Sequence, residues 1–152
     1  MTVMELKRKY KDRILKILTS IATTCRTSGF YVDEPTETSA DENFRWGLYI
    51  HRSQRDQQHQ ARHPGASTAT KADVDITFTI AEAEYWDDPD NRFGVNFMLD
   101  IVECGGRILG GHCPYNYTKE VWVDRRNANA VEARFQMMEA PSLDSIVECL
   151  KR

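Results

Sequence analysis

The sequence predicts an α+β fold in which helices cover one face of an antiparallel sheet. Three observations indicate it: a helical apolar pattern near the N-terminus, apolar–polar alternation in several central segments, and helical patterns near the C-terminus. Strands that follow one another through short turns usually pair as antiparallel neighbours. We therefore expect an N-terminal helix, an antiparallel β-meander of four or five strands, and two C-terminal helices packed on one face of the sheet.

One apolar stripe predicts the first helix. Its members recur at spacings of three or four residues, the period of one helix face, and Leu15 and Leu18 widen it. Ser28 and Gly29 predict where the helix ends, because glycine tolerates the left-handed conformation that terminates many helices. The stripe consists of Val3, Leu6, Tyr10, Ile14, Ile17, Ile21 and Cys25.

Alternation of apolar and polar residues predicts half-buried strands at 44–52, 74–80 and 93–101. A turn centred between Pro89 and Asp90 pairs the strand at 74–80 with the strand at 93–101. In that pairing, acidic residues that extend the earlier strand lie opposite apolar residues of the later strand. We therefore expect one β-bulge near Ala81, which corrects the register.

The C-terminal part is predicted to hold one more hairpin and the two last helices. Gly105 and Gly106 suit a tight turn, and residues 118–124 form a short strand. Asn129 with Glu132 resembles a capping box that opens a helix. That helix buries Val131, Phe135 and Met138, Pro141 ends it, and Ser142 caps a last helix with Leu143, Ile146, Val147 and Leu150 buried.

The 152 residues are long enough for one domain, 1–152, with its own core. Residues 53–72 contain almost no apolar side chain, so we expect a loop that is either mobile or functional. No apolar run approaches the roughly 20 residues that span a bilayer, and the charged N-terminus does not resemble a signal peptide. We therefore expect a cytoplasmic protein with no membrane contact and free cysteines.

His112 and Cys113 suggest a catalytic pair, but adjacent residues of an extended chain point to opposite faces. The favoured interpretation is a loop or hairpin. The aromatic residues that follow suit a half-wet contact surface. The predicted partner-binding residues are Tyr115, Tyr117 and Trp122, with Arg45 and Tyr49 as lesser candidates.

Metal and cofactor signals are weak. His59 and His63 stand four apart, but no glutamate follows His59 as the zinc-protease pattern requires, so we expect no metal there. The sequence holds no glycine-rich phosphate loop, and we expect no cofactor. A metal-dependent hydrolase or nuclease is the alternative function, with Asp73, Asp75 and Asp100 as its carboxylates.

A third interpretation rests on the basic face of the first helix. Lys7, Arg8, Lys11 and Arg13 are the residues that would contact phosphates if the protein bound nucleic acid. The net charge of −3 and the lack of a nucleic-acid-binding motif make this interpretation the weakest.

The function predicted first is a small non-enzymatic binding or regulatory module. We expect it to recognise a protein partner through an open, acidic sheet face and the 110–124 loop, as a homodimer. It is favoured because catalytic motifs are absent from the sequence while its charges are segregated.

Overall fold

The computed structural model describes residues 1–39, 44–51, 74–82, 93–103 and 115–139, with the backbone alone at 102–103 and 115–117. They form an α+β fold, as predicted. The elements in chain order are α1 (Val3–Thr27), β1 (Tyr31–Val32), β2 (Thr36–Glu37), β3 (Phe44–His51), β4 (Val74–Glu82), β5 (Gly94–Glu103), β6 (Tyr115–Asp124) and α2 (Ala128–Gln136).

All six strands belong to one antiparallel sheet with the order β1-β3-β4-β5-β6. The predicted meander is confirmed, because β3 to β6 are neighbours both in the chain and in the sheet. β2 also pairs with β3, at the same edge as β1. The two extra strands have two residues each and were not predicted.

The predicted stripe and end of α1 are confirmed. Every member of the stripe is buried, and Leu18 with it. At the N-terminus, Thr2 and Glu5 form a capping box in which each backbone N–H donates to the other side chain. At the C-terminus, Gly29 has φ of 92°, and the N–H of Phe30 donates to the carbonyl of Cys25 over 3.1 Å. These bonds satisfy carbonyls that the helix end would otherwise leave unpaired.

The predicted bulge near Ala81 is wrong. Pairing between β4 and β5 runs without interruption from Val74 to Glu82, and Ile80 lies opposite Phe97. Glu82 does lie opposite Val95, the arrangement that the bulge was expected to avoid. It is tolerated because Glu82 is the last residue of β4 and is exposed, so its carboxylate reaches water at the end of the sheet.

The start predicted for α2 is also wrong. Its N-cap is Asn127, whose side chain accepts a hydrogen bond from the N–H of Ala130 over 3.0 Å. Glu132 makes no capping box with Asn129 and instead bonds to α1. The face predicted for the helix is confirmed, since Val131, Phe135 and Met138 are all buried.

Both described helices lie on the same face of the sheet. Tyr10 of α1 stacks on Phe135 of α2 with 4.2 Å between ring centroids. Both rings meet Phe97 of β5 edge to face, at 5.7 and 5.4 Å, and Phe78 of β4 lies 6.0 Å from Phe135. This aromatic cluster joins α1, α2 and the sheet. The second C-terminal helix, the 53–72 loop and the Gly105–Gly106 hairpin lie outside the described residues.

Candidate functional site

The sheet face opposite α1 and α2 is named the outer face. It is built from alternate residues of the four long strands, because successive side chains of a strand point to opposite faces. No helix packs on it within the part of the chain that the structure describes. Its described members are Arg45, Gly47, Tyr49, His51, Asp75, Thr77, Thr79, Ala81, Asn96, Met98, Asp100, Thr118, Glu120, Trp122 and Asp124.

Trp122 is the large apolar side chain of the outer face that is most exposed to solvent, at 37%. It lies opposite Asn96, which is buried and donates a hydrogen bond from Nδ2 to the carboxylate of Glu120 over 2.5 Å. Asn96 Oδ1 is buried and accepts no hydrogen bond. The exposed indole of Trp122 therefore lies beside the hydrogen-bonded side chains of Asn96 and Glu120. Of their polar atoms, Asn96 Oδ1 is a buried acceptor to which no group donates.

Arg45 and Glu120 lie at opposite ends of one row across the sheet, with Thr79 and Met98 between them. Directly opposite residues of neighbouring strands have Cβ atoms about 4.5–5.5 Å apart. The row therefore places a positive end on β3 and a negative end on β6. This described part of the outer face carries both signs of charge and not only the acidic character expected from the sequence.

Tyr49 lies opposite Asp75 of β4, while the N–H of Asp33 donates to the Tyr49 carbonyl over 3.2 Å on the other side. Burial, and then the charges of Asp75 and Asp33, raise the pKa of the Tyr49 hydroxyl. The Tyr49 hydroxyl lies near Gly47, where a Cβ atom would stand 4.0 Å from Oη, an ordinary van der Waals distance. Tyr49 is therefore neutral, and a poor nucleophile, at neutral pH.

His51 is completely buried at the end of β3. Its Nε2 lies 3.3 Å from Asp33 Oδ2, and its Nδ1 accepts or donates no hydrogen bond. The carboxylate fixes the orientation of the ring. No sequence pattern indicated this pair, because Asp33 follows a two-residue edge strand that is too short to show a strand pattern.

The carboxylate candidates are only partly brought together. Asp75 and Asp100 lie on the outer face of neighbouring strands, one row apart, and Asp73 lies outside the described residues. Asp100 accepts a hydrogen bond from the Thr118 hydroxyl over 2.7 Å. Among the described side chains, no three of histidine, cysteine, aspartate or glutamate are grouped to hold a metal. His59, His63, His112 and Cys113 lie outside the described residues as well.

Of the three aromatic candidates of β6, only Trp122 has a side chain that the structure describes, and it lies on the outer face. At Tyr115 and Tyr117 the structure describes the backbone alone, which pairs with Glu103 and Ile101 of β5.

The basic face of α1 is partly neutralised within the chain. Lys7 lies 2.6 Å from the Glu37 carboxylate and over the Phe44 ring. Arg13 lies 2.7 Å from Glu132 and bonds to Glu139. Of the four residues predicted to contact nucleic acid, Arg8 and Lys11 are exposed. Since Lys7 and Arg13 are paired with carboxylates, the positive surface that α1 offers to phosphates is smaller than the sequence indicates.

Cys25 is expected to be inert in the folded protein. Its thiol is buried in the α1 stripe, and burial raises its pKa to about 11. With Cys104, Cys113 and Cys149 replaced by serine, native protein at pH 8 should react with a thiol reagent more than about 100-fold slower than protein in urea. Equal rates in both conditions would contradict the burial of Cys25.

Comparisons of the chain with models of protein families, with curated proteins and with solved structures found no match. Within the described residues, neither helix is both long enough and apolar enough to cross a bilayer.

Proposed function

We propose that this protein is a non-enzymatic binding module that recognises a protein partner through the outer face of its sheet. The observation that supports the proposal is Trp122, which is 37% exposed at a position where the described helices leave the sheet uncovered. Tryptophan, tyrosine, arginine and methionine are enriched in protein interfaces and supply many of their strongest contacts. Arg45, Tyr49 and Met98 bring the other three residue types to the same face.

The rigidity of the sheet supports this proposal. The outer-face residues project from ladders of β3 to β6, so their backbone is ordered before a partner binds and loses little conformational entropy on binding. Arg45 at one end of its row suits an acidic group of the partner. Glu120 and the unpaired Asn96 Oδ1 at the other end suit donors.

The proposal includes three expectations from the sequence: a regulatory role, a cytoplasmic location and a homodimeric state. It also retains the 110–124 loop as part of the contact surface, of which residues 115–124 form β6. Trp122 is the aromatic residue of that segment whose described side chain lies on the outer face, beside Thr118, Glu120 and Asp124.

Capture of partners from the native host tests the proposal. We expect wild type and Met4→Ala to retain a protein that Trp122→Ala loses by about tenfold or more, the effect of truncating a central interface residue. Met4 is a matched control because it is an exposed apolar residue, 45% accessible, on α1 and away from the outer face. Equal recovery with all three chains would reject the outer face as the binding surface.

Titration with Mg²⁺ or Mn²⁺ separates this proposal from the hydrolase alternative. A specific site at Asp75 and Asp100 would raise the melting temperature by mass action, and Asp100→Asn would abolish the rise. We expect no rise, because Asp100 already accepts a bond from Thr118. A salt-dependent retardation of nucleic acid, lost on replacing Arg8 and Lys11, would favour the third interpretation instead.

A further inference from the structure

The outer-face row that runs from Arg45 on β3 to Glu120 on β6 is charged at its two ends. Both end residues are exposed, and Thr79 and Met98 between them carry no charge. Among the described residues, neither end forms an ion pair. Three strand spacings separate the two ends, which puts their backbones roughly 14 Å apart. The Debye length at physiological ionic strength is about 8 Å, so the two charges hardly attract each other within one chain.

A buried amide orients the negative end of this row. Asn96 is 8% exposed and donates from Nδ2 to Glu120 Oε1 over 2.5 Å. Only the NH2 group of an asparagine can donate to a carboxylate, so this bond also fixes the orientation of the amide. Glu120 Oε2 forms no hydrogen bond with the described residues. A carboxylate that is oriented before a partner arrives loses less entropy when it binds a cation.

We propose that the protein partner of the outer face is a second copy of this chain, and that the two outer faces pack on each other through a two-fold axis parallel to the strands. This dimer rests on the proposed function, because it uses the same face of the sheet. The axis passes between β4 and β5, so β3 lies over β6 of the second copy and β4 lies over its β5. Stacked sheets keep their strand directions within about 30° of each other, and this axis does so.

The rotation brings opposite charges together. Arg45 comes to lie over Glu120 of the second copy, and Glu120 lies over Arg45 of the second copy, so the same ion pair forms twice. Stacked sheets are about 10 Å apart, a gap that an extended arginine and a glutamate span together. Arginine suits this role because its planar guanidinium can donate two hydrogen bonds to one carboxylate.

The next row of the outer face is complementary under the same rotation. It consists of Gly47, Thr77, Asp100 and Thr118. Thr77 comes to lie over Asp100 of the second copy, and its hydroxyl can donate to that carboxylate. Asp100 Oδ1 already accepts from Thr118, so Oδ2 is the acceptor for Thr77. Gly47 lies over Thr118 of the second copy and has no side chain to obstruct it. No two like charges meet in either row.

Charge also excludes the other way to stack the two faces. A two-fold axis across the strands carries each strand over its own counterpart, so Arg45 and Glu120 of the two copies never meet. If that axis runs along their row, Arg45 lies over Arg45 and Glu120 over Glu120. Like charges that face each other destabilise a contact, and a buried charge without a partner costs free energy. The axis parallel to the strands avoids both.

Charge reversal tests this interface. By sedimentation equilibrium at micromolar concentration, wild type should have the mass of two chains. Arg45→Glu and Glu120→Arg each set like charges against each other and should weaken the dimer about tenfold or more. Arg8→Glu is the matched control, because it changes the net charge as Arg45→Glu does, at an exposed position of α1, and should keep the mass of two chains. Monomeric wild type, or reversal variants that dimerise like wild type, would overturn the proposal.

Two further samples keep the test decisive if a reversal variant is less stable. In an equal mixture of Arg45→Glu and Glu120→Arg, the new glutamate faces the new arginine, and the unchanged Glu120 faces the unchanged Arg45. Mixed dimers should therefore form with about the affinity of wild type. Glu120→Gln keeps an acceptor for Asn96 and removes only the charge, so it should fold and weaken the dimer. A monomeric mixture, or unchanged affinity of Glu120→Gln, would reject this interface.

Failure of this dimer and failure of the proposed function give different results. A monomeric wild type that captures a different protein, which Trp122→Ala then loses, rejects the second copy and keeps the outer face as a binding surface. Dimers that no charge variant weakens, together with equal recovery in the capture experiment, reject both.

Discussion

Replacing Phe135 with alanine is expected to lower the free energy of unfolding by about 3–5 kcal/mol, the usual cost of truncating a buried aromatic residue. Phe135 is completely buried, and its ring contacts Tyr10, Phe78 and Phe97. Truncation removes apolar contact and leaves a cavity where α1, α2 and the sheet meet. Urea unfolding followed by circular dichroism measures the change through the transition midpoint.

Two control variants distinguish the effect of the cavity from a general effect on α2. Phe135→Leu keeps most of the apolar volume and should cost clearly less than alanine, about 1–2 kcal/mol. Met137→Ala, at the exposed end of the same helix, should change stability by less than about 0.5 kcal/mol. A Phe135→Ala variant as stable as Met137→Ala would show that α2 does not pack as described.

Replacing Arg13 with methionine is expected to lower the free energy of unfolding at pH 7 by about 1–2 kcal/mol. Arg13 donates two hydrogen bonds from Nη1 to Glu132, over 2.7 and 2.9 Å, and lies over the Phe135 ring at 4.8 Å. The estimate is kept low because both partners are about one third exposed and water screens their attraction. Methionine retains part of the apolar stem, so the variant removes mainly the charge.

The same substitution should change how stability depends on pH. Hydrogen bonds from Arg13 and then from Tyr10 lower the pKa of Glu132 in the folded protein. A lowered pKa stabilises the fold above the unfolded glutamate pKa of about 4.3, and this contribution is lost as the pH falls through the folded pKa. Without Arg13 the contribution is smaller, so the decline in stability below about pH 5 should become shallower.

Unfolding of wild type and Arg13→Met at a series of pH values from 7 to about 3 measures this slope. Arg8→Met is the matched control, because Arg8 is an exposed cation on the same helix. Its pH profile should follow that of wild type. Parallel profiles for all three chains would show that the bond between Arg13 and Glu132 does not contribute to stability.

The stabilising contacts and the proposed partner surface lie on opposite faces of the sheet. The aromatic cluster and the ion pairs of Arg13 belong to the helix-covered face, whereas Trp122, Arg45 and Tyr49 belong to the outer face. A substitution on the outer face can therefore change binding without a large loss of stability. For this reason Trp122→Ala is an informative variant in the capture experiment.

The elements that the sequence determined by itself are those with a local period. The stripe of α1, the alternation in β3 to β5 and the buried face of α2 each depend on residues within one segment. Their period fixes which side faces the core. The same alternation placed Asp75 and Asp100 on one face of the sheet, since it does not depend on the register between strands.

The tertiary structure alone decided the features that join distant segments. Arg13 and Glu132 are separated by 119 residues, so no local pattern could show that Glu132 bonds to α1 and does not form a capping box. The two-residue strands β1 and β2 are too short to have a period. The register of β4 against β5 also had to come from the structure. It depends on which end of the sheet lets Glu82 reach water, and that is a property of the packed sheet and not of either strand.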